Sequence, residues 1–366
     1  MDINVFAQRL HKARRMSGLS MDELALKSKI SKPALSKYEN AERSPDSTNV
    51  IKLADALNVD MDFFFSDPSS KEICLEPVSE WKLFHRKENN ASISDFTSLK
   101  EKTALFLENY FILEKVAHTK TEFKNPIEEV VVSNVRDAEN AAKKVRKKWK
   151  LGNLPIRNAV DLLEKQGVKV FKVKGYELYA FEGFAAWAGT VPVIVLNANE
   201  KKEITRLRFT ALHELAHLIM KISESITDNT KIEQFCDAFA SEMLLPLETL
   251  LEELGRKRTM ISMAELKDLK SEYGASILAI MTKAVFSGII DVAVYNQWKN
   301  QYQQMRKLDE SVFGHYSGTE QSNRFNNLLY KSLVEGRLSV KKAASISEFN
   351  VSELNSEIMF NNLIYG

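Results

Sequence analysis

The sequence predicts a multidomain, mainly α protein. A five-helix helix-turn-helix domain comes first, then a helical connector, an α+β domain with a small sheet, and a helical C-terminal tail. Three observations carry this prediction. The 366 residues exceed what one ordinary core accommodates. Residues 1–66 hold a close succession of helix caps and apolar stripes at helical spacing. From about residue 155 the pattern turns to mixed α and β, and a long apolar-flanked helix there carries His213-Glu214-Leu215-Ala216-His217. The expected divisions are 1–66, a linker and connecting helix over 67–133, the α+β domain over 134–289 and the helical region 290–366.

Composition excludes several classes. With 44% hydrophobic and 27% charged residues the chain reads as a soluble globular protein. It has no run of roughly 18 apolar residues, the length a membrane span needs. Met1-Asp2-Ile3-Asn4 lacks the basic start and apolar run of a secretory signal. Cys74 and Cys236 stand far apart, without metal-type spacing, so no disulfide framework is expected and a reducing cytoplasm is the expected home. The net charge of +2 is uninformative, but its distribution is not. Between Arg9 and Arg43, nine basic side chains face only Asp22, Glu23, Glu39 and Glu42, a local basic surface.

Element by element, Phe6, Leu10 and Ala13 repeat at helical spacing until Gly18 ends the first helix. Ser20 with Glu23 forms a capping box for the second. Ser31 caps the third, where Pro33 fits because the first turn needs no N–H from it. Ser44-Pro45-Asp46 punctuates, Val50, Leu53, Ala54 and Leu57 make the fourth helix, and Met61 to Phe65 the fifth. Asp67-Pro68-Ser69-Ser70 reads as a linker and Glu88 to Ser92 as a loop, followed by a helix over about 99–117. The basic run Lys143 to Lys150 is expected to be a solvated helix face with Val145 and Trp149 inward; a second DNA contact is the alternative. Ala159, Leu162 and Leu163 belong to a helix and Val168 to Val173 to a strand. Gly183 to Trp187 and Val191 to Leu196 form a hairpin pair, with an edge available to an extended peptide. Helices follow over about 201–221 and 230–243. Gly336-Arg337-Leu338-Ser339 with Ala344 faintly echoes Gly18-Leu19-Ser20 with Ala25.

His213 and His217, four apart on a helix, project from one face and can share a metal. Glu214 is placed to act as general base on a metal-bound water. The best third ligand is Glu233 on the next helix, with Asp237 one turn on as a hydrogen-bond partner for a ligand histidine. Asp228 and Glu224 are rivals in the intervening loop. Two histidines and a glutamate suit one Zn2+ per chain, though manganese and iron also accept such a set. His315, Tyr316 and Tyr179 are candidates for stabilising an oxyanion, against an ordinary packing role for each.

In the N-terminal domain the third helix is the one expected in the major groove. Ser31, Lys32, Pro33, Ser36 and Lys37 would face base edges, with Arg14, Arg43 and the Ser20 backbone on phosphates of double-stranded operator DNA.

Residues 10–65 resemble the Cro and phage-repressor-like (XRE-type) helix-turn-helix family. The likeness runs through Leu10, Arg14, Gly18-Leu19-Ser20, Glu23-Leu24-Ala25, Leu35 to Asn40, Pro45 and Leu53 to Leu57. Met21 departs from it, since the family often has glutamine there. Residues 135 to 250 resemble the ImmA/IrrE metallopeptidase family through Phe209 to His217, Glu233 to Ala240 and Leu244-Leu245-Pro246. Phe84-His85-Arg86-Lys87 resembles the intervening segment of fused members. The resemblance implies a zincin-like fold, a third zinc ligand at Glu233, and alanine as the usual residue where Cys236 stands. It also implies a zinc endopeptidase that cleaves a cognate repressor to control transcription. The alternative is an autorepressor or antitoxin binding operator DNA and a toxin, with the zinc structural or sensory. Either would pair two half-sites as a homodimer.

Overall fold

The computed structural model describes residues 2–65, 75–77, 93–174, 181–199, 203–308 and 310–365. The Asp67–Ser70 linker, the Phe84–Lys87 segment, the Glu88–Ser92 loop and Tyr179 lie outside these residues. Two compact units result. One comprises Met1–Leu75, Phe84–Lys120 and Asn323–Gly366; the other comprises Glu76–Leu83 and Thr121–Ser322.

The first unit begins with α1 (Ile3–Met16), α2 (Met21–Ser28), α3 (Lys32–Glu39), α4 (Ser47–Leu57) and a 3-10 turn over Met61–Phe65. Local chemistry sets these bounds. Asp2 and Asp46 cap α1 and α4, and Ser20 and Glu23 close a reciprocal capping box on α2. Phe6, Leu10, Leu24, Leu35, Leu53 and Phe64 are fully buried and fuse the helices into one core. α5 (Ile93–Val116) was expected to connect domains, but it belongs to this unit. Glu108 on α5 is buried against α1, accepting from Arg9 at 2.7 Å and from Lys12 at 2.6 Å. Further along α5, Tyr110 and Leu113 share a core with Leu329 of α14 (Arg324–Val334), Ala343 of α15 (Val340–Ile346) and Leu354 of α16 (Val351–Tyr365).

The second unit holds the sheet. β3 (Lys169–Val173), β4 (Gly183–Ala188) and β5 (Val191–Asn197) join β1 (Leu75–Pro77) in the order β1-β4-β5-β3. β4 and β5 are the expected antiparallel hairpin, with Phe184 opposite Val195, and β3 runs parallel to β5. Among the described residues the two hairpin strands are inner strands of the sheet, β1 pairing with β4 and β3 with β5, whereas an edge open to a peptide was expected there. A small parallel pair, β2 (Val131–Val132) with β6 (Lys221–Ile222), completes the strands among the described residues.

The helices α6 (Val135–Lys148), α7 (Ala159–Lys165), α8 (Ile204–Ile219) and α9 (Asn229–Leu244) pack around one core. It includes Ile194 and Leu196 of the sheet, Leu212 and Leu215 of α8, and Phe239 and Met243 of α9. At Gly183 a Cβ would lie 2.8 Å from Thr210 Cγ2 and 3.0 Å from the Val195 carbonyl, so the missing side chain lets α8 lie close on the sheet. The basic run is not wholly solvated. Arg146 is buried, its guanidinium donating to the carbonyls of Gly152, Leu154 and Met243, which replace water around the charge.

A second core joins α10 (Leu247–Leu254), α11 (Met263–Tyr273), α12 (Ile277–Phe286) and α13 (Val292–Leu308). Tyr302 and Phe313 complete it, so the stretch expected as one tail from 290 divides, its first part packing here and its last in the other unit.

Candidate metal centre and nucleic-acid interface

α8 buries Ala211, Leu212, Leu215, Ala216 and Ile219 as one stripe, and this rotation turns His213 and His217 toward α9. The His217 Nε2 lies 3.2 Å from His213 Nε2 and 3.4 Å from Glu233 Oε1. His213 Nε2 lies 3.1 Å from Glu233 Oε2. Asp237 Oδ1, one turn along α9, sits 2.8 Å from His213 Nδ1. The three predicted ligands therefore converge on one point, and the predicted partner of a ligand histidine reaches the far ring nitrogen.

The donor set fits a divalent cation. A carboxylate can only accept, so His213 Nδ1 carries the proton toward Asp237 and leaves Nε2 with a lone pair. That lone pair faces the His217 Nε2 and the Glu233 carboxylate, acceptors that repel unless a cation or a proton stands among them. Without a bound cation, a proton would take this place. Burial alone lowers the His213 imidazole, but hydrogen bonds to Asp237 and Glu233, with the charge of Glu214, raise it to about 10. Glu233 moves the other way: the two imidazoles outweigh its burial and hold its carboxyl far below the usual range.

Cys236 also approaches, its Sγ 3.6 Å from His217 Nδ1. His213, His217 and Cys236 together meet the spacing of a metal cluster. The ring edge matters here. The thiol lies beside Nδ1, whereas Glu233 and His213 lie beside Nε2. Burial, with the charges of Glu233, Glu214 and Asp237, raises the thiol well above its ordinary range. Glu233 shares the Nε2 edge with His213 and is the third-donor candidate there, while Cys236 contacts His217 on the opposite edge. Sequence marked Cys236 only as a departure from the family pattern; its contact with His217 follows from their facing positions on two helices.

Glu214 is buried beside the first histidine, at 2% exposure. Behind it in the chain, Arg208 of α8 is fully buried and ion-paired with Glu320. It also donates to the Ile156 carbonyl and to the Tyr316 hydroxyl at 3.0 Å. Tyr316 is thereby engaged in packing, lying over the Arg208 guanidinium at 4.6 Å. His315 is exposed at the surface. The rival acids lie elsewhere: Asp228 caps α9, accepting from Thr230 N at 2.9 Å, and Glu224 is exposed in the loop before it.

On the first unit, α3 buries Leu35 and Tyr38 and presents Ser31, Lys32, Pro33 and Lys37 to solvent, with Ser36 half-buried beside them. Lys32 makes only an exposed pair with Asp22, at 2.9 Å, which a phosphate can displace. Arg43 is exposed. Arg14 is engaged otherwise than expected. Its guanidinium forks onto Glu39 at 2.6 and 2.9 Å and reaches the Leu19 carbonyl at 3.1 Å, bracing α1 against α3.

Comparison with known proteins accords with this division. The helix-turn-helix family model matches residues 10–64, and the peptidase-family model for the IrrE N-terminal-like domain matches residues 163–283. The chain joins a helix-turn-helix domain to an IrrE N-terminal-like domain. A curated relative, described as an uncharacterized HTH-type transcriptional regulator, YqaE of Bacillus subtilis (strain 168), is 29% identical over 69 residues. That match covers 19% of this chain, and the chain spans 60% of the relative's length. The helix-turn-helix match supports DNA binding by the first unit. The IrrE N-terminal-like domain makes its second unit metallopeptidase-like, with α8, α9 and most of α12 inside the matched span. Among the described residues no helix is long and apolar enough to cross a membrane.

Proposed function

We propose that the chain is a DNA-binding regulator whose second unit is a zinc-dependent endopeptidase acting on a cognate repressor or another regulatory protein. The convergence of His213, His217 and Glu233, with Asp237 behind His213, is the observation that carries this reading. Nε2 of each histidine and the Glu233 carboxylate would hold the ion. Asp237 fixes the His213 tautomer and aims its ring, as carboxylates behind metal-binding histidines do. When bound, zinc supplies Lewis acidity, which polarises a scissile carbonyl and acidifies a water toward a pKa of about 7. Glu214, next to the first ligand, takes the proton of the attacking water and returns it to the leaving amine. Its burial strengthens that role, because its charge acts on a neighbouring proton through a low-dielectric surrounding.

The DNA-reading helix supplies what a free peptidase does not need, a location. Ser31, Lys32, Pro33, Ser36, Lys37 and Arg43 would hold the chain at an operator, where the proteins it acts on are also bound. The experiment uses Glu214→Gln, which keeps the metal ligands and stalls hydrolysis. Tagged Glu214→Gln protein expressed in the native host is expected to retain a DNA-binding protein that wild type cuts. A stable partner held equally by wild type, and left uncut, would overturn the peptidase reading in favour of an antitoxin.

A further inference from the structure

The first helix-turn-helix recurs at the far end of the chain. Phe6, Leu10 and Lys12 of α1 reappear as Phe325, Leu329 and Lys331 of α14, at one constant displacement and with no gap. Leu19-Ser20 reappears as Leu338-Ser339, Ala25 and Ser28 as Ala344 and Ser347, and Leu35 as Leu354. The physical roles recur with the residues. Leu10, Leu329, Leu35 and Leu354 are all fully buried. Ser20 accepts from Glu23 N at 3.2 Å, and Ser339 from Lys342 N at 3.2 Å. Ser28 Oγ donates to the Leu24 carbonyl at 2.7 Å, and Ser347 Oγ to the Ala343 carbonyl at 2.8 Å. The helix orders match as well, α14, α15 and α16 standing for α1, α2 and α3. Three details differ: Lys29 turns the first motif through a left-handed residue whereas residues 347–350 hold no positive φ, the left-handed Gly336 lies one position before the register of Gly18, and the Ser20–Glu23 capping box has no reciprocal counterpart on α15.

The outward face of α16 has the chemistry of a base-reading helix. Val351, Ser352, Asn355 and Ser356 are exposed at the positions of Lys32, Pro33, Ser36 and Lys37. An asparagine amide pairs with adenine, serine donates or accepts at any base, and a valine methyl suits a thymine methyl. Cations flank this face, for Asp22-Glu23 at the start of α2 is replaced by Lys341-Lys342 at the start of α15. One carboxylate of α16 is turned to its own N-terminus: Glu353 closes a capping box on Asn350, accepting from its backbone N–H at 2.8 Å.

We propose that residues 324–359 are a second DNA-reading helix-turn-helix, so that one chain reads two unlike half-sites. α5 holds both motifs in one unit. α1 packs on it through Glu108, and α14 packs further along through Tyr110 and Leu113. A 24-residue helix is about 36 Å long, which gives the pair a rigid common mount. The proposal is independent of the peptidase reading.

The test is selection of random duplex DNA by the full-length protein, followed by sequencing. Two different motifs at a fixed separation are expected. Asn355→Ala with Ser356→Ala should erase one, and Lys32→Ala with Lys37→Ala the other; all four side chains lie at or near the surface, so folding is preserved and is checked by thermal unfolding. Lys341→Glu with Lys342→Glu should lower the slope of log affinity against log salt by about 2. A single motif that the Asn355 and Ser356 changes leave intact would overturn the proposal and leave α16 as a protein-docking face. Failure of wild type to select any DNA would overturn it too.

Discussion

At the scale of single residues, the account turns on which atom faces which. Two third-ligand candidates sit one turn apart, and ring geometry separates them: Glu233 meets the Nε2 edge of His217, Cys236 the Nδ1 edge. Glu233→Ala is therefore expected to abolish stoichiometric zinc, measured by elemental analysis after dialysis. Cys236→Ala should keep it, with affinity lowered by about 10–100-fold at most, because only a contact behind a ligand is lost. Equal loss in both variants would mean that the thiol is a ligand. Much of this site was legible in the sequence. His213, Glu214 and His217 announce themselves by spacing, and Glu233 and Asp237 follow from the need for a third ligand and its support. Arg208 was not legible. Its partners Glu320 and Tyr316 lie over a hundred residues away, and nothing local marks it as buried.

At the scale of elements, two junctions set stability. α5 meets α1 through Glu108, whose burial is outweighed by hydrogen bonds from Arg9 and Lys12 that hold its carboxyl below the usual range. A carboxylate with a lowered folded pKa contributes stability that is complete above its unfolded value of about 4.3 and is lost as pH falls through the folded value. Glu108→Gln should destabilise the first unit by about 3 kcal/mol at neutral pH, since it removes the carboxylate that pairs with buried Arg9 and with Lys12. It should also flatten the fall in melting temperature between pH 5 and 3, measured by calorimetry; an unchanged acid limb would exclude this role. The second junction is β4 against α8. Gly183→Val forces the Val195 carbonyl and Thr210 apart, and a cost of about 1–3 kcal/mol is expected in denaturant titration. The elements themselves were readable because caps and periodicity are local: Ser20 with Glu23, Pro33 in a first turn, the hairpin at Gly189. The edge of β4 was not, because β1 comes from a hundred residues earlier.

At the scale of the whole molecule, chain order and spatial order differ. The first unit takes its helices from both ends of the sequence, and the stretch after residue 290 is shared between the two units. Sequence placed the two principal domains but made α5 a connector and the end of the chain one region. Those assignments depend on burial between distant segments, such as Tyr110 against Leu329, which no periodicity reveals. The resulting pairing of a helix-turn-helix with a metallopeptidase-like unit gives the central claim its form: a regulator that cuts a protein. The most direct test is a comparison of protein N-termini, by mass spectrometry, in cells carrying wild type or Glu214→Gln at equal levels. The account predicts at least one new N-terminus, within a DNA-binding or regulatory protein, present with wild type and reduced about 10²–10⁴-fold with the variant. Identical sets of N-termini in the two strains, under conditions where the regulated genes respond, would contradict it.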